Sequence, residues 1–170
     1  GLVQNSDYTM NVWVKLDTEI ASAFYQFFLI NPSADETNFF RYDYNAGTRR
    51  LNFFAGNYDA ANYNVTLGTS AWRMITMTRV NSTGAMLAYV QVATWTSTSD
   101  NPAAFAIKTV MGGQEASNSV LGTMDEVGVW SRALSSSEIT SLYNGGAGLQ
   151  YPFTTASAAE INNSQIQIID

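Results

Sequence analysis

The sequence predicts an all-β fold, a two-sheet antiparallel jelly-roll sandwich with one short helix near the C-terminus. Three observations predict it. Short runs of alternating apolar and polar residues recur along the chain, punctuated by Gly, Asn and Asp, the pattern of many short antiparallel strands. Residues 24–30 are apolar on both faces, as a strand covered from two sides requires. One stretch alone, residues 135–143, pairs helical spacing with start and stop signals.

The bulk properties set the bounds. A chain of 170 residues with 46% hydrophobic content suits one domain with a real core. The net charge of -6 and only eight basic residues argue against nucleic acid, whose binding rests on Lys and Arg neutralising phosphates. No apolar run reaches the length of a membrane span. Cysteine is absent, so disulfides are excluded. Neither an initiating Met nor a signal peptide is visible, which reads as a processed product or a fragment. An acidic, lysine-poor, Asn/Ser/Thr-rich chain fits an extracellular, cell-surface or virion-surface protein.

In chain order, Tyr8, Met10, Val12, Val14 and Leu16 alternate with Thr9, Asn11, Lys15 and Asp17, a half-buried strand. Trp13 falls on the polar side and is expected to pack under a loop or helix. Asn31-Pro32 ends the run of residues 24–30. Residues 38–45 and 50–55 read as a hairpin around 46–49, with Phe40, Tyr42 and Tyr44 on one face. Residues 56–64 read as a polar loop with little to bury. Residues 72–80 and 85–95 form a second hairpin around 81–84. Residues 105–111 are a further strand, ended by Gly112-Gly113. A domain of residues 1–150 is followed by a tail, 151–170, in which 165–169 reads as an edge strand or a segment that pairs with a partner chain.

The helix is the best-signalled element. Ser135 caps its first turn and Glu138 reaches back to close a capping box, while Leu134 and Ile139 sit at the positions of a hydrophobic staple. Ile139, Leu142 and Tyr143 form one apolar stripe. Asn144, Gly145 and Gly146 end it, Gly being at ease in the left-handed C-terminal cap.

With the strand before it, from Gly122-Thr123-Met124-Asp125-Glu126-Val127-Gly128-Val129-Trp130 to Asn144, this stretch resembles the closing motif of laminin G-like domains of the concanavalin A-like superfamily. Residues 8–17, with Trp13-Val14-Lys15, resemble its opening strand, and residues 72–92 its central hairpin. The resemblance covers roughly residues 1–150. It implies the sandwich and leaves function open, since one sandwich hosts lectins, enzymes and structural modules.

Catalysis is constrained by what is missing. Without His and Cys there is no Ser-His-Asp triad, no Cys-His pair and no His- or Cys-ligated zinc. Retaining glycoside hydrolysis needs two carboxylates about 5 Å apart. Asp17 and Glu19 have the spacing but fall at a strand end before a polar loop. Asp125 and Glu126 are adjacent, and alternation points them to opposite faces. The Glu-x-Asp-x-x-Glu of the superfamily's laminarinase-type enzymes has no counterpart. The chain is expected not to be an enzyme.

Alternation also places Asp125 beside Val127 and Val129, a carboxylate in apolar company that must be paired, hydrogen-bonded or metal-bound. Two readings stand. One is a salt bridge to Arg73, Arg79 or Arg132, or bonds to loop amides. The other, which the resemblance implies, is a calcium ligand, completed by loop oxygens and Asp7.

Sugar binding needs an aromatic face and planar polar groups. Asn57, Tyr58, Asp59, Asn62 and Tyr63 supply both within nine residues, and Trp95 with Asp100 offers a second edge. The plainer reading folds these rings back over the sandwich and spends the Asn side chains on turns. The expected function is a non-catalytic carbohydrate-binding or adhesion module, its partner a glycan or cell-surface polysaccharide and calcium a structural cofactor. The alternative is a structural module of a virion, fibre or cell-surface assembly that associates through its tail.

Overall fold

The computed structural model describes residues 7–22, 24–29, 38–55, 58–98, 110–111, 119–149 and 166–167. The strands are β1 (Tyr8–Leu16), β2 (Phe24–Leu29), β3 (Asn38–Asn45), β4 (Thr48–Ala55), β5 (Tyr58–Asn64), β6 (Arg73–Val80), β7 (Ala85–Val90), β8 (Ala93–Thr98), β9 (Val110–Met111), β10 (Gly122–Trp130) and β11 (Ile166–Gln167), with one helix, α1 (Ser136–Tyr143), after β10. They form two antiparallel sheets, a six-stranded one ordered β11-β10-β1-β6-β7-β8 and a five-stranded one ordered β5-β4-β3-β2-β9. This is the predicted sandwich.

The core between the sheets is built by alternation. From β1 it takes Tyr8, Met10, Val12, Val14 and Leu16. Tyr25, Phe27, Phe40, Tyr42, Leu51 and Phe53 come from the opposite sheet. Phe40 meets Phe27 edge-on, with ring centroids 5.8 Å apart.

A second, smaller core lies on the outer face of the six-stranded sheet. There Leu134, just ahead of α1, and Ile139 and Leu142 of α1 pack onto Trp13, Met74, Tyr89 and Trp130. Trp13 stacks on Tyr143 with parallel rings at 5.9 Å. Its misfit to the alternation of β1 is therefore the docking site of the helix. The second core also explains why β1 is buried on both faces along nearly its whole length.

The helix ends are as predicted. The Ser135 hydroxyl accepts from the Glu138 N–H, the Glu138 carboxylate accepts from the Ser135 N–H at 2.8 Å, and Asn144 takes the left-handed conformation at the C-cap. Thr9 ties this region to β1. Its hydroxyl donates to the Arg132 carbonyl at 2.9 Å and accepts from the Leu134 N–H at 2.8 Å.

Three expectations change. The first hairpin turns on two residues only, Ala46 and Gly47, both left-handed, with Asn45 paired to Thr48. This is the tight turn that matches strand twist. The expected strand 85–95 is broken at Gln91, also left-handed, into β7 and β8. Residues 58–64, expected as a loop, form β5, because Tyr63 has a core site to fill. It is 4% exposed, and its hydroxyl donates to the Met86 carbonyl at 3.3 Å. In the tail, Ile166 and Gln167 pair with Trp130 and Val129 of the same chain.

Candidate functional site

The site grows from a defect in one strand pair. Asn11 faces Gly128 and Trp13 faces Asp125, so Val12 alone stands opposite Glu126 and Val127. This is a β-bulge, and Glu126 carries its left-handed residue at φ 47°. The extra residue shifts the alternation. Met124, Val127 and Val129 all pack on the inter-sheet core, with a step of three between the first two. Asp125 and Glu126 are left together on the outer face.

That corrects the prediction of a buried Asp125. It is exposed, and one of its oxygens accepts from the Glu126 N–H at 2.8 Å. The Arg residues proposed as its partners are engaged elsewhere. Arg73 donates to the Leu67 carbonyl, Arg79 to Asn81, and Arg132 pairs with Glu138.

The bulge is held from inside. Asn11, 2% exposed, donates from its amide to the Glu126 carbonyl at 3.1 Å and accepts the Thr76 hydroxyl at 2.6 Å. The half-buried Glu126 carboxylate accepts from the Leu149 N–H at 3.3 Å. Burial raises its pKa and the charge of Asp125 adds to the rise, against the Leu149 amide.

Around the two carboxylates opens a cleft of about 240 Å³, lined by Trp13, Trp72, Asp125, Glu126 and the glycine-rich turn at residues 146–148. Trp72 is half-buried, with the Lys15 ammonium 5.3 Å from its ring centroid. Trp13 is 5% exposed, and its indole N–H has no hydrogen-bond partner among the described residues. Gly148 is required where it stands. Its φ is 71°, and a Cβ there would overlap both carboxylate oxygens of Glu126. The arrangement offers indole rings and two carboxylate acceptors around one cleft.

The other predicted site residues are dispersed. Asp7 accepts from the Asn81 N–H at 2.7 Å, beside Tyr8, whereas Asp125 pairs with Trp13. Five strand residues, roughly 17 Å at the usual rise, separate Tyr8 from Trp13. Asp7 and Asp125 therefore cannot share an ion. Among the described residues no group of three or more His, Cys, Asp or Glu side chains could hold a metal. Asp125 and Glu126 alone do not complete a calcium site, which takes roughly six to eight oxygens.

Tyr63 is a core residue, as above, and burial pushes its hydroxyl up to about 12. Asn62 lies on the outer face of the five-stranded sheet, where it accepts from the Asn52 amide at 2.6 Å. Beside it Arg41 and Arg50 both pair with Asp43, at 3.2 and 2.7 Å. That face is a polar network closed largely on itself. Tyr58, Asp59 and Trp95 contribute backbone to β5 and β8, and their side chains lie outside the described residues, as do Asn57 and Asp100 altogether. Glu19 is structural. It accepts from the Tyr42 hydroxyl at 2.9 Å and pairs with Arg49 at 3.0 Å.

Sequence reasoning missed Trp72, Glu126 and the glycine turn as parts of one site. Each was visible by itself, but nothing local joins them.

A family model of the concanavalin A-like lectin/glucanases superfamily matches residues 1–140. No match was found among curated protein sequences. Among solved structures, the chain is similar to domain 4 of an extracellular arabinanase from Geobacillus stearothermophilus in complex with arabinotriose, at TM-score 0.61 and 18% identity, over 82% of this chain and 66% of that one. It is similar to the heptameric SAP-like pentraxin of Limulus polyphemus at TM-score 0.64 and 16% identity, over 86% and 73%. The CBM40 domain of a Ruminococcus gnavus sialidase, bound to sialyllactose, matches at TM-score 0.55 and 14% identity, over 80% and 82%. At these identities the likeness shows a shared lectin-like fold. With the family model spanning most of its length, the chain belongs to the laminin G-like domains of the concanavalin A-like lectin/glucanases superfamily.

Proposed function

We propose that the chain is a non-catalytic carbohydrate-binding module of an extracellular protein, and that it takes its ligand in the cleft beside the β10 bulge. The observation that carries this reading is the convergence of Trp72, Trp13, Asp125 and Glu126 on one cleft of about 240 Å³. An indole face covers the apolar side of a pyranose, and paired carboxylates accept its hydroxyls. The glycine turn lets the ligand approach the backbone closely. Several neighbours of the same fold are carbohydrate-binding domains, two of them captured with oligosaccharides. Hydrolysis is not part of the reading. Asp125 and Glu126 are adjacent on one face, and among the described residues no third carboxylate lines the cleft to flank a glycosidic bond from the other side.

The test is a glycan array, probed with the wild type and with Trp72→Ala, in calcium and in chelator. Binding lost in Trp72→Ala, with an unchanged circular dichroism spectrum, is the expected result. A flat array for the wild type, or binding indifferent to Trp72, overturns the reading. The chelator arm decides whether calcium, which the family resemblance leads one to expect, takes part in recognition.

A further inference from the structure

Resting on the carbohydrate reading, we infer that the cleft is selective for a cationic amino sugar, a hexosamine whose amine is free and protonated. Every charged side chain lining the cleft is an acid, Asp125 and Glu126, and the other lining side chains are the two indoles and one Ala. The remaining wall is the glycine-rich turn at residues 146–148, which carries no charged side chain. The indole faces favour a cation as well, through the ring quadrupole. Lys15, over the Trp72 ring, supplies a positive charge that offsets part of this field.

The strain at Glu126 points the same way. Its carboxylate is half-buried, against the charge of Asp125, with one long amide bond for support. An ammonium placed between the two carboxylates relieves that repulsion.

The choice of an amino sugar over a simple amine rests on the half-buried indole of Trp72, whose face suits the apolar side of a sugar ring. A hexosamine ring thus meets both demands of the cleft, with a cationic amine for the acids and an apolar face for Trp72.

The experiment is titration calorimetry of the full chain with a glucosamine oligomer and with its fully N-acetylated counterpart, which is neutral and otherwise alike. The glucosamine oligomer is expected to bind roughly tenfold more tightly. Asp125→Asn and Glu126→Gln are each expected to cost about fivefold toward it and distinctly less toward the N-acetylated oligomer, which keeps only the hydroxyl contacts. Asp125 is exposed, so its Asn variant is expected to keep its fold, checked by circular dichroism. Equal affinity for the two oligomers, preference for the acetylated one, or indifference to Asp125→Asn overturns the inference. If another glycan binds in a Trp72-dependent manner while the glucosamine oligomer does not, the inference falls and the carbohydrate reading stands. If no glycan binds at all, both fall.

Discussion

Asn11 holds Glu126. The amide of the first donates to the carbonyl of the second at 3.1 Å, across 115 residues of sequence, and keeps in place the left-handed residue that turns two carboxylates onto one face. Asn11 is in turn fixed by the Thr76 hydroxyl at 2.6 Å. Removing this amide is the most direct way to disturb the cleft without touching it. Asn11→Ala leaves a buried hydroxyl and a carbonyl short of a partner, at a cost of about 1–3 kcal/mol. Urea denaturation should show the loss, and ligand affinity should fall with it. Unchanged stability would mean that the bulge is held by other contacts.

Gly148 tests the packing of the same carboxylate from the other side. Gly148→Ala puts a methyl group against the Glu126 oxygens at a left-handed position, where a Cβ costs roughly 1–2 kcal/mol on its own. The variant is expected to melt earlier and to lose cleft binding. Gly145→Ala, left-handed at φ 64° but with nothing near its Cβ, is expected to lose stability alone. Equal ligand affinity in the two variants would show that Glu126 is not held by the turn.

The capping box predicts a pH dependence. Hydrogen bonds from Arg132, and then from Ser135, hold the Glu138 carboxyl down at about 2, against an ordinary value of 4.5. A depressed carboxyl stabilises the fold above its unfolded value, and that contribution is lost as pH falls from about 4.5 towards about 2. Glu138→Gln is expected to cost about 1 kcal/mol at neutral pH, the usual worth of an N-terminal cap. For a domain of this size that is a melting point roughly 2–4 °C lower. The difference from wild type should shrink through that acid window. A constant difference down to pH 2 would show that the charge of Glu138 is not what the helix uses.

Much of the fold was legible because its causes are local. The helix was readable from Ser135 to Asn144, since a cap, a staple and an apolar stripe are all written within ten residues. The core face of β1 was readable because its own period-two alternation runs unbroken from Tyr8 to Leu16, the extra residue of the bulge being carried by its neighbour β10. The stretch of residues 56–64 was not. Its polar residues disguised a strand whose Tyr63 enters the core and is satisfied by a carbonyl 23 residues away. Asp125 was misplaced for a similar reason. Alternation carried it inward, and nothing in its own neighbourhood announces the bulge.

By itself, the sequence determined the sandwich class, the single capped helix and the absence of any chemistry that needs His or Cys. Those depend on composition and on periodicities a few residues long. The tertiary structure alone decided which face the two carboxylates occupy and what stands opposite them. One left-handed residue resets the alternation of β10, and it is set by Asn11 and Thr76 on strands far away in the chain. The cleft joins β1, the start of β6, the β10 bulge and the turn after α1, four segments that only the packed sheets and the docked helix bring together.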